Sequence, residues 1–259
     1  MTQELYIKDG FSVGRGIVPQ SLITEARESL LAVVEVLSPG AFARAEGDLD
    51  RAWFELISEQ GRLSGGLLYN AAKHLPALRK IAVSDSVFKF CSELIGSDKI
   101  ALVDINFRID PPAENQYLFS WHQDFWFSMC SPKALVAWIP ITNVDNETGG
   151  VDLISLVDSQ SRIFRVRKAD DYRSYSDSLV LDEAIDYHAT ASPDMAAGDL
   201  LCFRFDVLHR SRPNVASGRC RWTLQLRWAA YDDPAFIDER FQPGIVTKNM
   251  ISYLERQKS

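Results

Sequence analysis

The chain holds four histidines, His74, His122, His188 and His209, and His122 opens the triplet His122-Gln123-Asp124. Residues two apart on an extended chain project to the same side, so the imidazole of His122 and the carboxylate of Asp124 can converge on one ion while Gln123 points away. A third ligand must come from elsewhere in the fold. His209 follows Gly198-Asp-Leu-Leu-Cys-Phe-Arg-Phe205, a run that predicts a strand, and so stands at a strand end where a ligand is readily presented. Two imidazoles and one carboxylate cover one face of an octahedral non-haem Fe(II) and leave three positions for a chelating cosubstrate and O2. That is oxygen chemistry. Taken alone, the triplet fits equally well a histidine packed between Trp121 and Phe125, and the residues downstream decide the weighting.

Those residues are Arg221-Trp-Thr-Leu-Gln-Leu-Arg-Trp228, a period-two alternation with Arg221, Thr223, Gln225 and Arg227 on one face and Trp222, Leu224, Leu226 and Trp228 on the other. A guanidinium two residues from a hydroxyl on the polar face can grip a carboxylate with a bidentate pair and a further hydrogen bond. A lone arginine on a strand is more often a surface residue. Its place twelve residues after His209 favours the anchor.

The elements that must position these groups change character once. From about Gln20 to Gly96 the periodicity is helical: Leu22, Ile23, Ala26, Leu30, Val33, Val34 and Leu37 form a stripe that Pro39-Gly40 stops. Asp48 to Gln60 predicts a second helix, and Val87 to Ile95 a third, capped by Ser84 or Asp85 and ended by Gly96. After Gly96 strands dominate. Leu102 to Ile109 alternates, with Asp104, Asn106 and Arg108 on one face and Val103, Ile105, Phe107 and Ile109 on the other. That polar face is either solvated or turned into an active site, where Asn106 and Arg108 would meet the cosubstrate or substrate. Trp121, Phe125, Trp126 and Trp138 are expected to give the pocket an aromatic wall. The segment Asp158 to Pro193 breaks the strand rhythm with Arg162, Arg165, Arg167 and Lys168 ahead of Asp170, Tyr172 and Tyr175, and reads either as a substrate lid carrying Arg162 and Arg165 or as a solvated loop. Strands at short spacing predict a sandwich or jelly roll.

Composition narrows the function classes. At 259 residues and 46% hydrophobic the chain can bury one large core, and no repeat or linker divides it, so a single domain is expected: residues 1–96 mostly helical support, 97–230 the β core and 231–259 a C-terminal tail. A net charge of -7 argues against a nucleic-acid partner, which needs a positive surface to displace counterions. No apolar run reaches membrane-spanning length, and the first residues lack the pattern of a signal peptide. Cys91, Cys130, Cys202 and Cys220 show no paired spacing, so neither zinc site nor disulfide framework is expected and a reduced cytoplasm fits. A small-molecule substrate and a monomer or homodimer complete the expectation.

Taken in order, Trp121-His-Gln-Asp124, Ala137-Trp-Ile-Pro140, Glu147-Thr-Gly-Gly150, Gly198-Asp199, His209-Arg-Ser-Arg-Pro-Asn214 and Arg221-Trp-Thr223 resemble the phytanoyl-CoA dioxygenase family of Fe(II)/2-oxoglutarate oxygenases, from about Ile81 to Trp228. The resemblance implies a mainly β fold with N-terminal helices around a double-stranded β-helix (jelly roll, cupin-like) core. It implies Fe(II) held by His122, Asp124 and His209, and 2-oxoglutarate held at its far carboxylate by Arg221 and Thr223. With O2 these would oxidise an unactivated carbon and release succinate and CO2. Asp124 stands where halogenating relatives carry a small residue, so hydroxylation or desaturation is implied instead. Two departures stand out. Leu156-Val-Asp-Ser-Gln-Ser161 replaces the family's usual Pro-Gly-Ser-His turn, and the anchoring arginine sits about one residue late, with Arg219 as its rival. Carbohydrate, acyl and natural-product substrates all remain open. So do three other readings: a cupin-type metalloenzyme that does not use 2-oxoglutarate, an inactive binding module of the same fold, and a nucleic-acid demethylase, which would need a basic face.

Overall fold

A computed structural model describes residues 2–128, 131, 133–168 and 179–234. Seven helices come first among them: α1 (Thr2–Asp9), α2 (Gln20–Leu37), α3 (Ala41–Arg44), α4 (Leu49–Gln60), α5 (Arg62–Ala72), α6 (Pro76–Ala82) and α7 (Asp85–Ile95). The stripe on α2 buries Ile23, Ala26, Leu30, Leu31 and Val34 as its spacing requires. Asp48 caps α4 through its side chain, which accepts from the Arg51 N–H at 2.8 Å. Gly96 ends α7 in the left-handed conformation that glycine adopts without strain. Four of the seven, α1, α3, α5 and α6, had no clear signal in the sequence. The pair Gly65-Gly66 lies mid-helix in α5, and Pro76 opens α6 at a position where its missing N–H costs nothing.

Nine strands follow or interleave among the described residues: β1 (Phe11–Gly14), β2 (Ile100–Asp110), β3 (Ala134–Pro140), β4 (Val151–Ile154), β5 (Val166–Lys168), β6 (Leu179–Leu181), β7 (Leu200–Arg204), β8 (Leu208–Ser211) and β9 (Arg221–Ala230). Five form an antiparallel sheet in the order β1-β7-β3-β9-β2, β4 pairs with β8, and β5 with β6. β1 lies within the mostly helical first 96 residues yet forms the edge of the large sheet against β7.

The alternation in β2 and β9 divides the molecule into layers. Trp222, Leu224, Leu226 and Trp228 join Phe107, Leu135 and Ile139 in one core with Ile23, Leu30, Trp53, Leu56 and Leu68 of the helices. On the opposite face of the sheet, Val136, Trp138, Leu201 and Phe203 pack with Val151 and Leu153 of β4. The chemistry lies on this second side. There β2 and β9 pair Asp110 with Arg221, Arg108 with Thr223, Asn106 with Gln225 and Asp104 with Arg227. One residue departs from the expected face: the register shifts between Leu102 and Asp104, so Val103 packs with the second core instead of beside Phe107.

Candidate metal centre

The triplet is not in a regular strand. His122 makes one antiparallel bridge to His209, with N–H···O=C distances of 2.9 and 3.0 Å in the two directions. A helical turn, α8 (Phe125–Ser128), then starts at once. The placement comes from Gln123, whose side chain is fully buried on the far side. Its amide NH2 donates to the carbonyls of Arg162 at 2.8 Å and Asp206 at 2.6 Å, and its oxygen accepts from the Phe164 N–H at 2.9 Å. Pinning Gln123 behind leaves its two neighbours facing the ion site. His209, by contrast, is inside a strand, β8, rather than at the end of β7, because a tight turn at 205–207 folds the chain back.

Nε2 of His122 lies 3.5 Å and Nε2 of His209 3.7 Å from Oδ1 of Asp124, and one ligand atom from each residue falls within 4.8 Å of the others. Donors about 2.0–2.2 Å from a shared divalent ion stand about 3 Å apart when adjacent. Small side-chain adjustments therefore suffice to coordinate a metal. Nδ1 of His122 is 2.7 Å from the Ser120 carbonyl and Nδ1 of His209 is 3.0 Å from that of Val207. A carbonyl only accepts, so each ring carries its proton on Nδ1 and presents the lone pair of Nε2 to the centre. Burial, aided by neighbouring His122, holds His209 at about 3 and hence neutral, as a ligand must be. Burial alone would raise Asp124, but Arg227 and the two imidazoles outweigh it and keep the carboxylate ionised.

Arg227 was visible in the sequence only as a member of the polar face. Its Nε and Nη2 each lie 3.0 Å from Oδ2 of Asp124, and its Nη1 lies 3.3 Å from Asp104. With Oδ2 engaged, Oδ1 is left to point at the ion. Arg227→Leu should weaken Co(II) binding about 10–100-fold, the usual effect of losing an outer-shell partner. Arg227→Lys should recover part of it, since a lysine restores charge without the fork. The check is a visible-absorbance titration with Co(II), and an unchanged affinity in Arg227→Leu would remove Arg227 from this role.

Beside the triad a buried cluster shares charge. Arg108 Nη2 lies 2.6 Å from Oδ1 of Asp110, while Arg221 Nε and Nη2 lie 3.2 and 3.0 Å from its Oδ2. Burial pushes Asp110 up, yet the two guanidiniums prevail and hold it at about 2. Two cations against one anion leave the cluster one positive charge. Arg221 also donates to the carbonyls of Gly149 at 2.8 Å and Arg212 at 3.0 Å. The Gly149 contact accounts for part of the Glu-Thr-Gly-Gly motif: Gly149 has φ +65°, and a Cβ there would stand 2.3 Å from the Pro213 carbonyl. Next along the same face, the buried Thr223 hydroxyl has no hydrogen-bond partner. The rival Arg219 lies outward, paired with Asp145 at 2.8 Å and Glu147 at 2.7 Å.

A cavity of about 470 Å³ opens over the triad. Of the residues expected at the pocket, Asn106, Arg108 and Trp138 line it. Seven do not: Arg221 and Thr223 are buried beside the lining residues Asp110 and Arg108, and the other five stand elsewhere for identifiable reasons. Trp126 donates from its indole to the Phe164 carbonyl at 2.8 Å, Phe125 meets it edge to face in the second core, and Trp121 lies under the Arg210 guanidinium. Each follows the turn of α8 or the bridge of His122 away from the ion. Arg162 is exposed and pairs with Glu183 at 2.6 Å, and Arg165 is exposed at the start of the β5–β6 hairpin. The tyrosines expected in the lid, Tyr172 and Tyr175, lie outside the described residues. In place of the missing aromatics stand Tyr69 from α5, Tyr117, Phe119 and Phe127. Phe119 stacks on His122 at 4.9 Å. The signal for Tyr69 was hidden with α5 itself. His74 and His188 are exposed and belong to no metal-binding group among the described residues.

Comparison with known proteins gives a consistent picture. A family model described as phytanoyl-CoA dioxygenase (PhyH) matches residues 6–221. No curated protein matches in sequence. The fold is shared with the epimerase SnoN solved with Fe3+, alpha ketoglutarate and nogalamycin RO, at TM-score 0.57 and 14% identity over 94% of this chain and 89% of that one. It is shared too with the non-heme alpha ketoglutarate dependent carbocyclase SnoK (TM-score 0.57, 16% identity, 94% and 90% covered) and with the non-heme monooxygenase ThoJ (TM-score 0.60, 14% identity, 90% and 78% covered).

Proposed function

As a member of the phytanoyl-CoA dioxygenase family, to which this chain belongs, the protein is, we propose, an Fe(II)/2-oxoglutarate-dependent oxygenase that hydroxylates an unactivated carbon of a small molecule. The observation that carries the reading is the triad, in which both imidazoles are tied back through Nδ1 so that two Nε2 lone pairs and one ionised carboxylate oxygen converge. That donor set, two nitrogens and one oxygen, suits iron better than a structural zinc site. Beside the cavity-lining Arg108 and Asp110, the surplus positive charge of the cluster and the unpartnered Thr223 hydroxyl support binding of an anionic cosubstrate. SnoN, with the same fold, was solved with both components.

When bound, Fe(II) with 2-oxoglutarate and O2 supplies oxidative decarboxylation to succinate and CO2, coupled to oxidation of a substrate C–H bond. The chain's own residues arrange that chemistry. His122, Asp124 and His209 hold the metal, and Arg227 fixes which oxygen of Asp124 faces it. Arg221 and Thr223 bind the far carboxylate, with Arg108 and Asp110 setting the local charge. Phe119, Phe127 and Trp138 cover the site and keep water from the reacting atoms. No helix among the described residues is long and apolar enough to cross a membrane.

The test is succinate release from 2-oxoglutarate by iron-loaded protein under O2, with product analysis for an oxygen atom derived from labelled O2. Succinate without a hydroxylated product from any substrate class would confine the reading to its coarser part. Absence of succinate with intact iron binding would favour the cupin-type alternative.

A further inference from the structure

Among the described residues the cavity lining carries four arginines and four acidic residues, and each of these arginines has an acidic partner. Arg62 grips Glu114 with two bonds of 2.7 and 2.6 Å, Arg108 holds Asp110 at 2.6 Å, and Arg227 spans Asp124 and Asp104. Arg210, the fourth, is paired at 2.8 Å with Asp152 behind the wall. On the oxygenase reading, a divalent ion and a dianionic cosubstrate also cancel. A CoA thioester, with several phosphate charges, finds among the described lining residues no arginine without an acidic partner, and the one surplus charge, on the Arg108–Asp110–Arg221 cluster, is assigned to the cosubstrate. What the wall offers instead is aromatic surface and amide: Tyr69, Phe119, Phe127 and Trp138, with Asn106 and Gln225 between them.

One wall is the face of α5 that carries Arg62, Gly65, Gly66 and Tyr69. A pair of glycines mid-helix disfavours the helix and calls for a reason. Gly65 has one in packing, because a Cβ there would come 2.4 Å from the Trp53 indole. Gly66 has none. A Cβ on Gly66 would meet nothing within 4 Å, so no packing contact accounts for the missing side chain, and the residue lines the cavity. From these two observations we propose that the pocket receives an uncharged, ring-bearing substrate stacked against the aromatic wall, and that Gly66 keeps open the space for that ring. The proposal rests on the oxygenase reading for the charge balance at the metal, but the ring-binding site is tested separately.

Tryptophan fluorescence provides the measurement, since Trp53 and Trp138 both line the cavity. Wild-type protein loaded with Co(II) and 2-oxoglutarate is titrated with quinizarin as an uncharged fused ring, p-nitrophenyl glucoside as an uncharged sugar-bearing ring, and palmitoyl-CoA. At least one ring probe should bind tenfold or more tightly than palmitoyl-CoA, and whichever does so identifies aromatic or sugar character. Gly66→Leu should lose that binding by at least tenfold. Gly66→Ala should bind the ring more weakly while melting about 2–4 °C higher, as expected when a helix-interior glycine with open space becomes alanine. The opposite signs separate a pocket role from damage, and the alanine variant decides the matter should the leucine variant unfold. Preferential binding of palmitoyl-CoA, no binding of either ring, or ring affinity unchanged in the Gly66 variants would each overturn the proposal. The visible charge-transfer band of anaerobic Fe(II) and 2-oxoglutarate on wild-type protein tests the oxygenase reading independently: band present with rings rejected sinks this inference alone, and band absent with rings bound sinks the other.

Discussion

Alanine at His122, Asp124 or His209 should reduce succinate release to background and bind Fe(II) too weakly to load, whereas His74→Ala and His188→Ala should stay within a few fold of wild type. The expectation follows from there being three convergent ligand atoms and no neighbour among the described residues to substitute for one. Asp124→Ala has a second consequence. It removes one of the two acidic partners of Arg227 and leaves Asp104 at 3.3 Å, so the variant should be moderately less stable as well as inactive. His209→Ala removes a neutral ring and should unfold less readily. Iron content per chain and melting temperature, measured together, check both statements. An active His209→Ala enzyme beside a dead His188→Ala enzyme would show that the third ligand had been misassigned.

The metal ligands were legible because their chemistry is scarce: four histidines and one HxD triplet leave few combinations. The polar face of β9 was legible for a different reason. A strand covered on both sides must segregate its side chains, and Arg221 to Trp228 does so without exception. What could not be read was anything set by a contact across the fold. Nothing near Gln123 in sequence indicates that its amide would be buried against Arg162, Phe164 and Asp206, and that burial turns an apparent strand into a single bridge. The aromatic wall was misplaced by the same event, because α8 begins at Phe125 and swings Phe125 and Trp126 away from the ion. α5 was hidden by Gly65 and Gly66, whose low propensity is compensated by Trp53 on one side and left standing beside the cavity on the other. Arg227 shows the middle case. Its face was predictable, but its partner Asp124 lies 103 positions away.

Arg221→Ala should raise the 2-oxoglutarate concentration needed for half-saturation by thirty-fold or more, against a few fold at most for Arg219→Ala. Removing a charged, hydrogen-bonded anchor commonly costs about 2–5 kcal/mol in binding, and about 2 kcal/mol is already a factor of thirty. Arg219 is more than a third exposed and paired with two surface acids, so its loss should hardly reach the site. Arg221→Ala also deprives the carbonyls of Gly149 and Arg212 of their donor, so affinity must be measured on folded protein, for instance by the anaerobic Fe(II) charge-transfer band. Thr223 isolates the cosubstrate term from the structural one. Its hydroxyl is buried without a partner, a state that costs about 1–3 kcal/mol, so Thr223→Val should leave the cosubstrate-free protein as stable or more stable. The same change should weaken 2-oxoglutarate binding, because the hydroxyl gains its partner only when the carboxylate arrives. A Thr223→Val protein that is less stable yet binds 2-oxoglutarate normally would mean that the hydroxyl serves the fold, and a larger effect at Arg219 than at Arg221 would move the anchor two residues upstream, out of β9.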